Sequence, residues 1–486
     1  MAFPQRAETR SHRSTITIAS LVALVLLSFL VARPLYPRVA GLFDFRAFYC
    51  AGSAVAAGRD PYRTEPLRSC WNATKGFRPG YGVAFAVPVP LPGAALAPFV
   101  LLSRLPFAVA ADIWVLVLLA SFAATVILLC RLCDWRSETI VAALLLPLGL
   151  RSILLGQTVP IVCAATVAAA FLATRGRDRA AALVAVLTMF EPHLGLPVWL
   201  ALFIARPRSR VVLTICGAGL VFASLALLGT GLNLEYVRDV LPAHALSEIS
   251  NEEQYSLSYL AHAAGLGEQS AARLGTLSYL VMLGAGIFAG RMAAARTGAA
   301  ALAVLVPPAF VVLGGPFVHV QQLAIAIPAA LVVSGLRVPG ARLCAIAVVL
   351  LAVPWGALAL IELNVPVLFG VTFVLARELL ALSVARSALL SAASGGVALA
   401  LLSSLGEHPV PVLGPLDPRD GVALAEVGWR TFIEQDYRSN VLQNNLAKIP
   451  GWSGLLLVVL GSVGLGPARV ERQTVESTSA SAASSF

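Results

Sequence analysis

Charge is scarce in this 486-residue chain: Asp, Glu, Lys and Arg together make up 12% of it, about half the share usual in a soluble domain. Lysine is almost missing, with Lys75 and Lys448 its only representatives, so arginine carries most of the net charge of +10. Such arginines suit bidentate phosphate binding, and they equally mark cytoplasmic loops of a membrane protein. No Walker loop, dinucleotide-binding glycine fingerprint or H-E-x-x-H motif occurs. Strands alternating with helices, as in a nucleotide-sugar domain, are absent, and so is any nucleic-acid module. Most of the seven cysteines lie in apolar runs as small hydrophobes. Cys130 and Cys133 form a C-x-x-C without a second pair or a histidine, so the pair completes no metal site and reads as structural; no cofactor is expected. Cys50 and Cys70 share a loop and could form a disulfide.

What the chain has in abundance is hydrophobic residues, 58% of the total, with a mean hydropathy of +0.84. Apolar runs of roughly 17–25 residues recur from Ile16 to Leu465, each long enough to cross a ~30 Å hydrocarbon core as a helix. The fold class is therefore all-α: a polytopic integral membrane protein of about 12–14 transmembrane helices. Residues 1–15 read as a basic cytoplasmic tail and 16–405 as the polytopic domain, whose first external loop is 34–82. An external polar segment at 406–451, a last span at 452–466 and a disordered Ser/Ala-rich tail at 467–486 complete the plan.

Within the first loop, Phe45, Phe48, Tyr49, Gly52, Val55 and Ala56 follow helical spacing, with Arg46, Cys50 and Ser53 opposite. The pattern predicts a short amphipathic helix on the membrane surface, ending near Gly58 and Pro61. Asp44 at its start is either an N-cap or a chemically active carboxylate, and the two roles are compatible. Val83–Leu105 holds Pro88, Pro90, Pro92 and Pro98, which predicts a broken helix lining a cavity. Arginines cluster at 175–179 and again at 206–210. The stretch between them is too short for two full crossings. Either one cluster breaks the positive-inside rule, or 180–205 is a hairpin of half-helices turning at Glu191-Pro192-His193.

Ionisable groups at membrane depth are costly and default to functional candidates. Glu191 and His193 qualify, as a cavity-lining pair or as a satisfied pair stabilising the helix break. His319 lies in irregular backbone set by Gly314, Gly315 and Pro316. Arg151 and Gln157, at a junction of two apolar runs, could meet a phosphate or a sugar hydroxyl, although a snorkelling arginine would look the same.

The order of these pieces resembles the polytopic GT-C glycosyltransferases, and most closely glycosyltransferase family 87, which includes polyprenyl-phosphate-mannose-dependent α-mannosyltransferases. The resemblance rests on Asp44-Phe45-x-x-Phe48-Tyr49, Gly58-x-x-Pro61-Tyr62, Gly156-Gln157, Gln254-Tyr255-Ser256-Leu257 and Gly315-Pro316-Phe317-Val318-His319. Glu191-Pro192-His193 stands where the family often has Lys-Pro, and the tryptophan of the last segment is absent. The resemblance implies an inverting transferase at the extracytoplasmic face of the plasma membrane. It would move a hexose, mannose foremost, from a polyprenyl-phosphate sugar to a glycolipid or glycan acceptor. Asp44 would be the general base, and His319 would meet the leaving phosphate together with Arg46 or Arg151. Tyr49, Tyr62, Gln157, Glu191, His193, Gln254 and Gln322 complete the expected substrate-binding set. A rival reading makes the chain a transporter or flippase, with Glu191 and His193 as a proton relay.

Overall fold

The computed structural model describes residues 41–74, 86–133, 138–251, 253–336, 338–352, 361–405, 422–436 and 441–464. The expected first span (16–32), the basic tail before it and the terminal segment 467–486 lie outside these residues. Regular structure among the described residues is helical, the β-type pairings being the isolated bridges Arg63–Leu424 and Gln254–His319.

The order begins with α1 (Phe43–Ala56), α2 (Thr64–Ala73), α3 (Gly93–Leu102), α4 (Phe107–Cys133), α5 (Glu138–Leu155) and α6 (Val159–Thr174). Next come α7 (Asp178–Ala185), a 3-10 turn (Val186–Phe190), α8 (Pro192–Ala205), α9 (Arg210–Glu235), a π turn (Tyr236–Val240), α10 (Leu241–Ser247) and α11 (Leu257–Ala263). Then follow α12 (Glu268–Thr297), α13 (Leu302–Gly314), a 3-10 segment (Val320–Ala326), α14 (Ile327–Ser334), α15 (Ala341–Ala352), α16 (Ile361–Leu380) and α17 (Val384–Ser404). The described chain finishes with α18 (Ala425–Asp436) and α19 (Val441–Val463).

Among the described residues five helical stretches are long and apolar enough to cross a membrane: Phe107–Cys133, Pro207–Ser247, Glu268–Thr297, Val384–Ser404 and Asn445–Val463. Seven shorter apolar helices, of 10–17 residues, accompany them. A helix apolar on every side must be enclosed by protein or by lipid. α13 takes the first course, buried along its whole length except Leu313, against α8, α12 and α19.

The stretch 180–205 is a hairpin of half-helices. Trp199 Nε1 donates to the carbonyl of Ala185 at 2.7 Å, and Arg206 Nε lies 4.0 Å from Asp178 Oδ1. The two arginine clusters therefore share one end of the molecule. The turn falls at Glu191, whose backbone (φ −123, ψ 84) leaves the helical region just before Pro192. Pro88 to Pro92 is likewise irregular, and helix resumes only at Gly93.

α1 is not the amphipathic surface helix that its spacing predicts. Arg46 and Cys50 are 2% and 1% exposed, although both belong to the supposedly polar side. α2 covers that side: Cys50 is disulfide-bonded to Cys70, and the Arg46 guanidinium lies over the rings of Trp71 and Phe107. On the opposite side Phe45 stacks on Trp114 at 5.7 Å between ring centres. Gly52 lets α1 and α3 touch backbone to backbone, since a Cβ there would meet the Phe99 carbonyl at 2.4 Å. Losing a buried phenyl ring such as Phe45 costs about 3–5 kcal/mol, so α1 is anchored as firmly as a core helix.

Candidate functional site

Asp44 occupies the first turn of α1 without capping it. The N-cap is Leu42, in the left-handed region (φ 51), and no side chain caps the helix. The Asp44 carboxylate turns instead toward the α5–α6 junction, where Gln157 Nε2 donates to Oδ2 at 2.7 Å. Gly156 makes this approach possible. Its φ of +78 is a conformation that L side chains rarely adopt, and a Cβ would lie 2.5 Å from that of Phe45. Trp114 Nε1 locks the junction by donating to the Gly156 carbonyl at 2.8 Å.

Asp44 opens on a cavity of about 1270 Å³, larger than most small-molecule sites. Its side chain is half-buried at the cavity wall, and burial pushes its pKa up from 3.8 to about 7. The Gln157 hydrogen bond pulls the other way, while the nearby carboxylates of Glu253, Glu248 and Glu191 add to the rise.

The hairpin turn supplies Glu191. Its carboxylate accepts from the hydroxyl of Thr158 and, at 3.4 Å, from Gln322 Nε2. His193 Nδ1 lies 3.8 Å from the same carboxylate. The carbonyl oxygen of the Gln322 side chain accepts the backbone N–H of His319 at 2.9 Å, so one glutamine ties the hairpin to the His319 loop.

Gln254 fixes His319 from behind. Its Oε1 accepts the N–H of Val318 at 2.9 Å, which directs its amide nitrogen to His319 Nε2 at 3.2 Å. The Gln254 amide thus holds the His319 ring through Nε2, which accepts this hydrogen bond in the tautomer that carries its proton on Nδ1. Nδ1 has no partner among the described residues. Glu248 Oε2 is 3.6 Å from the same Nε2. Glu248 is held by the indole N–H of Trp429 and by Asn251 Nδ2 at 2.6 Å. Phe317 stands among three imidazoles, its ring 4.7 Å from His319, 4.8 Å from His244 and 6.1 Å from His193.

Asp44, Gln157, Glu191, His193, His319 and Gln322 thus line one cavity, although they come from distant parts of the chain. Other expected binding residues stand outside its wall. Arg46 is buried under aromatic rings. The hydroxyls of Tyr49 and Tyr62 donate to the carbonyls of Leu105 and Leu91, so both tyrosines brace the loop. Arg151 pairs with Glu253 and reaches the cavity only through it. Gln254 acts through His319. Sequence reasoning missed Glu248, Asn251, Glu253, His244 and Trp429. Polar density in Ser250–Gln254 was a usable signal for the loop residues. Nothing local marked Trp429, which α18 brings in from the far end of the chain.

Long apolar helices stand around a wide cavity walled by carboxylates, imidazoles and amides, the arrangement of a polytopic membrane protein with a polar chamber. Residues 92–318 match the model of glycosyltransferase family 87, and the protein is a membrane glycosyltransferase. The matched stretch contains Arg151, Gln157, Glu191, His193 and Gln254, begins after Asp44 and stops one residue before His319. No curated protein and no solved structure matches the chain. The transporter reading of Glu191 and His193 yields to this match.

Proposed function

We propose that the protein transfers a hexose, mannose foremost, from a polyprenyl-phosphate sugar to a glycolipid or glycan acceptor, with inversion at the anomeric carbon. Asp44 carries this reading. A carboxylate with a pKa near 7, open to the cavity and oriented by Gln157, suits a general base at neutral pH. It takes the proton of an acceptor hydroxyl while that oxygen attacks the anomeric carbon. The bond from that carbon to the phosphate oxygen breaks, and the polyprenyl phosphate leaves as an anion. His319, its ring at the cavity wall and held by Gln254, is the candidate to meet that anion.

The direction of α6 supports an extracytoplasmic site. Its 16 residues separate Gln157 at the cavity from Arg175 by about 24 Å. Arginine-rich ends favour the cytoplasm, so the cavity belongs to the opposite face, in keeping with a plasma-membrane enzyme.

The test compares wild type with Asp44→Asn in nanodiscs supplied with radiolabelled polyprenyl-phosphate-mannose and a membrane glycolipid extract. Wild type is expected to transfer label, and the Asp44→Asn variant to do so about a hundredfold more slowly. Transfer unaffected by the substitution overturns Asp44 as the base. A silent wild type, also silent with other lipid-linked sugars, overturns the donor class.

A further inference from the structure

Among the described residues four carboxylates line the cavity: Asp44, Glu191, Glu248 and Glu253. A polyprenyl-phosphate donor brings another negative charge, and repulsion would expel it unless a cation stands close by. The arginines suggested by sequence are already engaged, Arg46 outside the wall and Arg151 by Glu253. Among the described lining residues the one Arg or Lys is Arg273, in the second turn of α12. It is exposed and makes no ion pair among the described residues. Gln269 and Thr276, four residues before it and three after, share its helix face and also line the cavity.

Beside Arg273 the cavity opens sideways. Val237 and Leu241 form one edge of the opening, Leu277 and Leu280 the other, and all four are lining residues. They are nevertheless 63%, 39%, 60% and 57% exposed. Apolar side chains that line a cavity and still keep this much accessible surface belong to its open part and not to a packed wall. One edge includes a π turn, an irregularity frequent at functional sites. Leu280 lies about 10 Å further along the α12 axis than Arg273. The far end of α12 carries Arg291 and Arg296, which mark its cytoplasmic end. The cation therefore sits at headgroup level and the leucines at acyl-chain level.

We propose that Arg273 binds the phosphate of the polyprenyl donor, whose hydrocarbon chain leaves the cavity between α10 and α12 over Val237, Leu241, Leu277 and Leu280. The assignment rests on the donor class proposed above and adds its docking residue and exit. The guanidinium pairs with phosphate oxygens through charge-assisted hydrogen bonds, while the aliphatic edges keep the chain in contact with lipid. The sugar then projects inward, toward Asp44 and His319.

The experiment uses the full chain in phosphatidylcholine nanodiscs. Binding of radiolabelled polyprenyl phosphate is measured alongside donor KM and acceptor KM, for wild type, Arg273→Leu and Arg273→Lys. Arg273→Leu should weaken lipid binding and raise donor KM by tenfold or more, with acceptor KM unchanged. Arg273→Lys, which keeps the charge, should recover part of the loss and shows that the helix tolerates replacement. Equal lipid binding by wild type and Arg273→Leu overturns the proposal. So does displacement of polyprenyl phosphate by phosphatidylglycerol as effectively as by unlabelled polyprenyl phosphate, since the site would then be one for bulk anionic lipid. Arg273-dependent binding without sugar transfer by wild type supports the docking residue and defeats the proposed reaction. Transfer with donor KM unmoved in Arg273→Leu does the reverse.

Discussion

Replacing Gln157 by leucine removes a single donor from Asp44 and keeps a side chain of similar size. Gln157 Nε2 bonds to the carboxylate at 2.7 Å, and this bond favours the ionised form against the burial that raises the pKa to about 7. A hydrogen bond to a charged group contributes about 1.5–3 kcal/mol, and one pKa unit is about 1.4 kcal/mol. The carboxyl is half-open to the cavity, where water can replace part of the lost bond, so the expected rise is about one unit. A general base works when ionised, so activity is present above its pKa and falls as the pH drops through it. In kcat/KM against pH, wild type should break near pH 7. Gln157→Leu should break about one unit higher. The variant then loses about tenfold at pH 6 while approaching wild type on the alkaline plateau. A uniform loss with the break unmoved would refute the link between Gln157 and the titrating base. A wild-type break near pH 4 would refute the claim that burial tunes Asp44. Stability runs the other way. With a folded pKa raised from 3.8 to about 7, the Asp44 contribution is fully present below pH 3.8 and is lost as the pH rises through about 7. Folding alone would favour the protonated, inactive carboxyl.

Gly156→Ala forces a Cβ to within 2.5 Å of Phe45 Cβ at a φ of +78. It should cost about 1–3 kcal/mol, read as a lower melting temperature by a thiol-reactive unfolding dye, and an unchanged melting temperature would refute the tight junction. Trp429→Phe keeps an aromatic ring, smaller than the indole, and takes the N–H from Glu248. Turnover should fall roughly tenfold with α18 still docked by Arg430–Glu268, and full activity would show that Glu248 needs no such hold. Arg177→Cys and Arg208→Cys should both be labelled from the cytoplasmic side by an impermeant maleimide, because the hairpin puts their segments at one end. Labelling from opposite sides would refute the half-helix turn.

The all-α membrane fold was legible because long apolar runs have few alternatives to helix. The positions of Glu191-Pro192-His193 and of the proline-rich break were legible because proline and charge interrupt such runs wherever they occur. The surroundings of α1 were not. Helical periodicity reports which residues share a side, yet it cannot say what covers each side, and a disulfide and two aromatic rings covered the one that looked polar. The cap reading of Asp44 failed for a related reason. Gly41 and Leu42 both take positive φ, which swings the carboxylate away from its own helix and toward Gln157, and no local pattern announces that turn. Contacts across great sequence distance, such as Trp429 to Glu248, leave no trace in either segment read alone.

One wall of the cavity comes from very late in the chain. α18 is clasped to the first loop by Ala423 accepting from the Thr64 N–H and by Ala425 donating to the Tyr62 carbonyl, each at 2.9 Å. Trp429 and Phe432 close the cavity beside Phe43. A membrane protein is made from its N-terminus onward, and Asp44, Gln157 and His319 have all left the ribosome well before Trp429. From the emergence of His319 until that of Trp429 the nascent protein therefore holds these groups in an unfinished chamber, with Glu248 lacking its indole partner. Completion of the cavity is timed by translation itself, and a product terminated before residue 422 would carry nearly every membrane helix and still lack this wall.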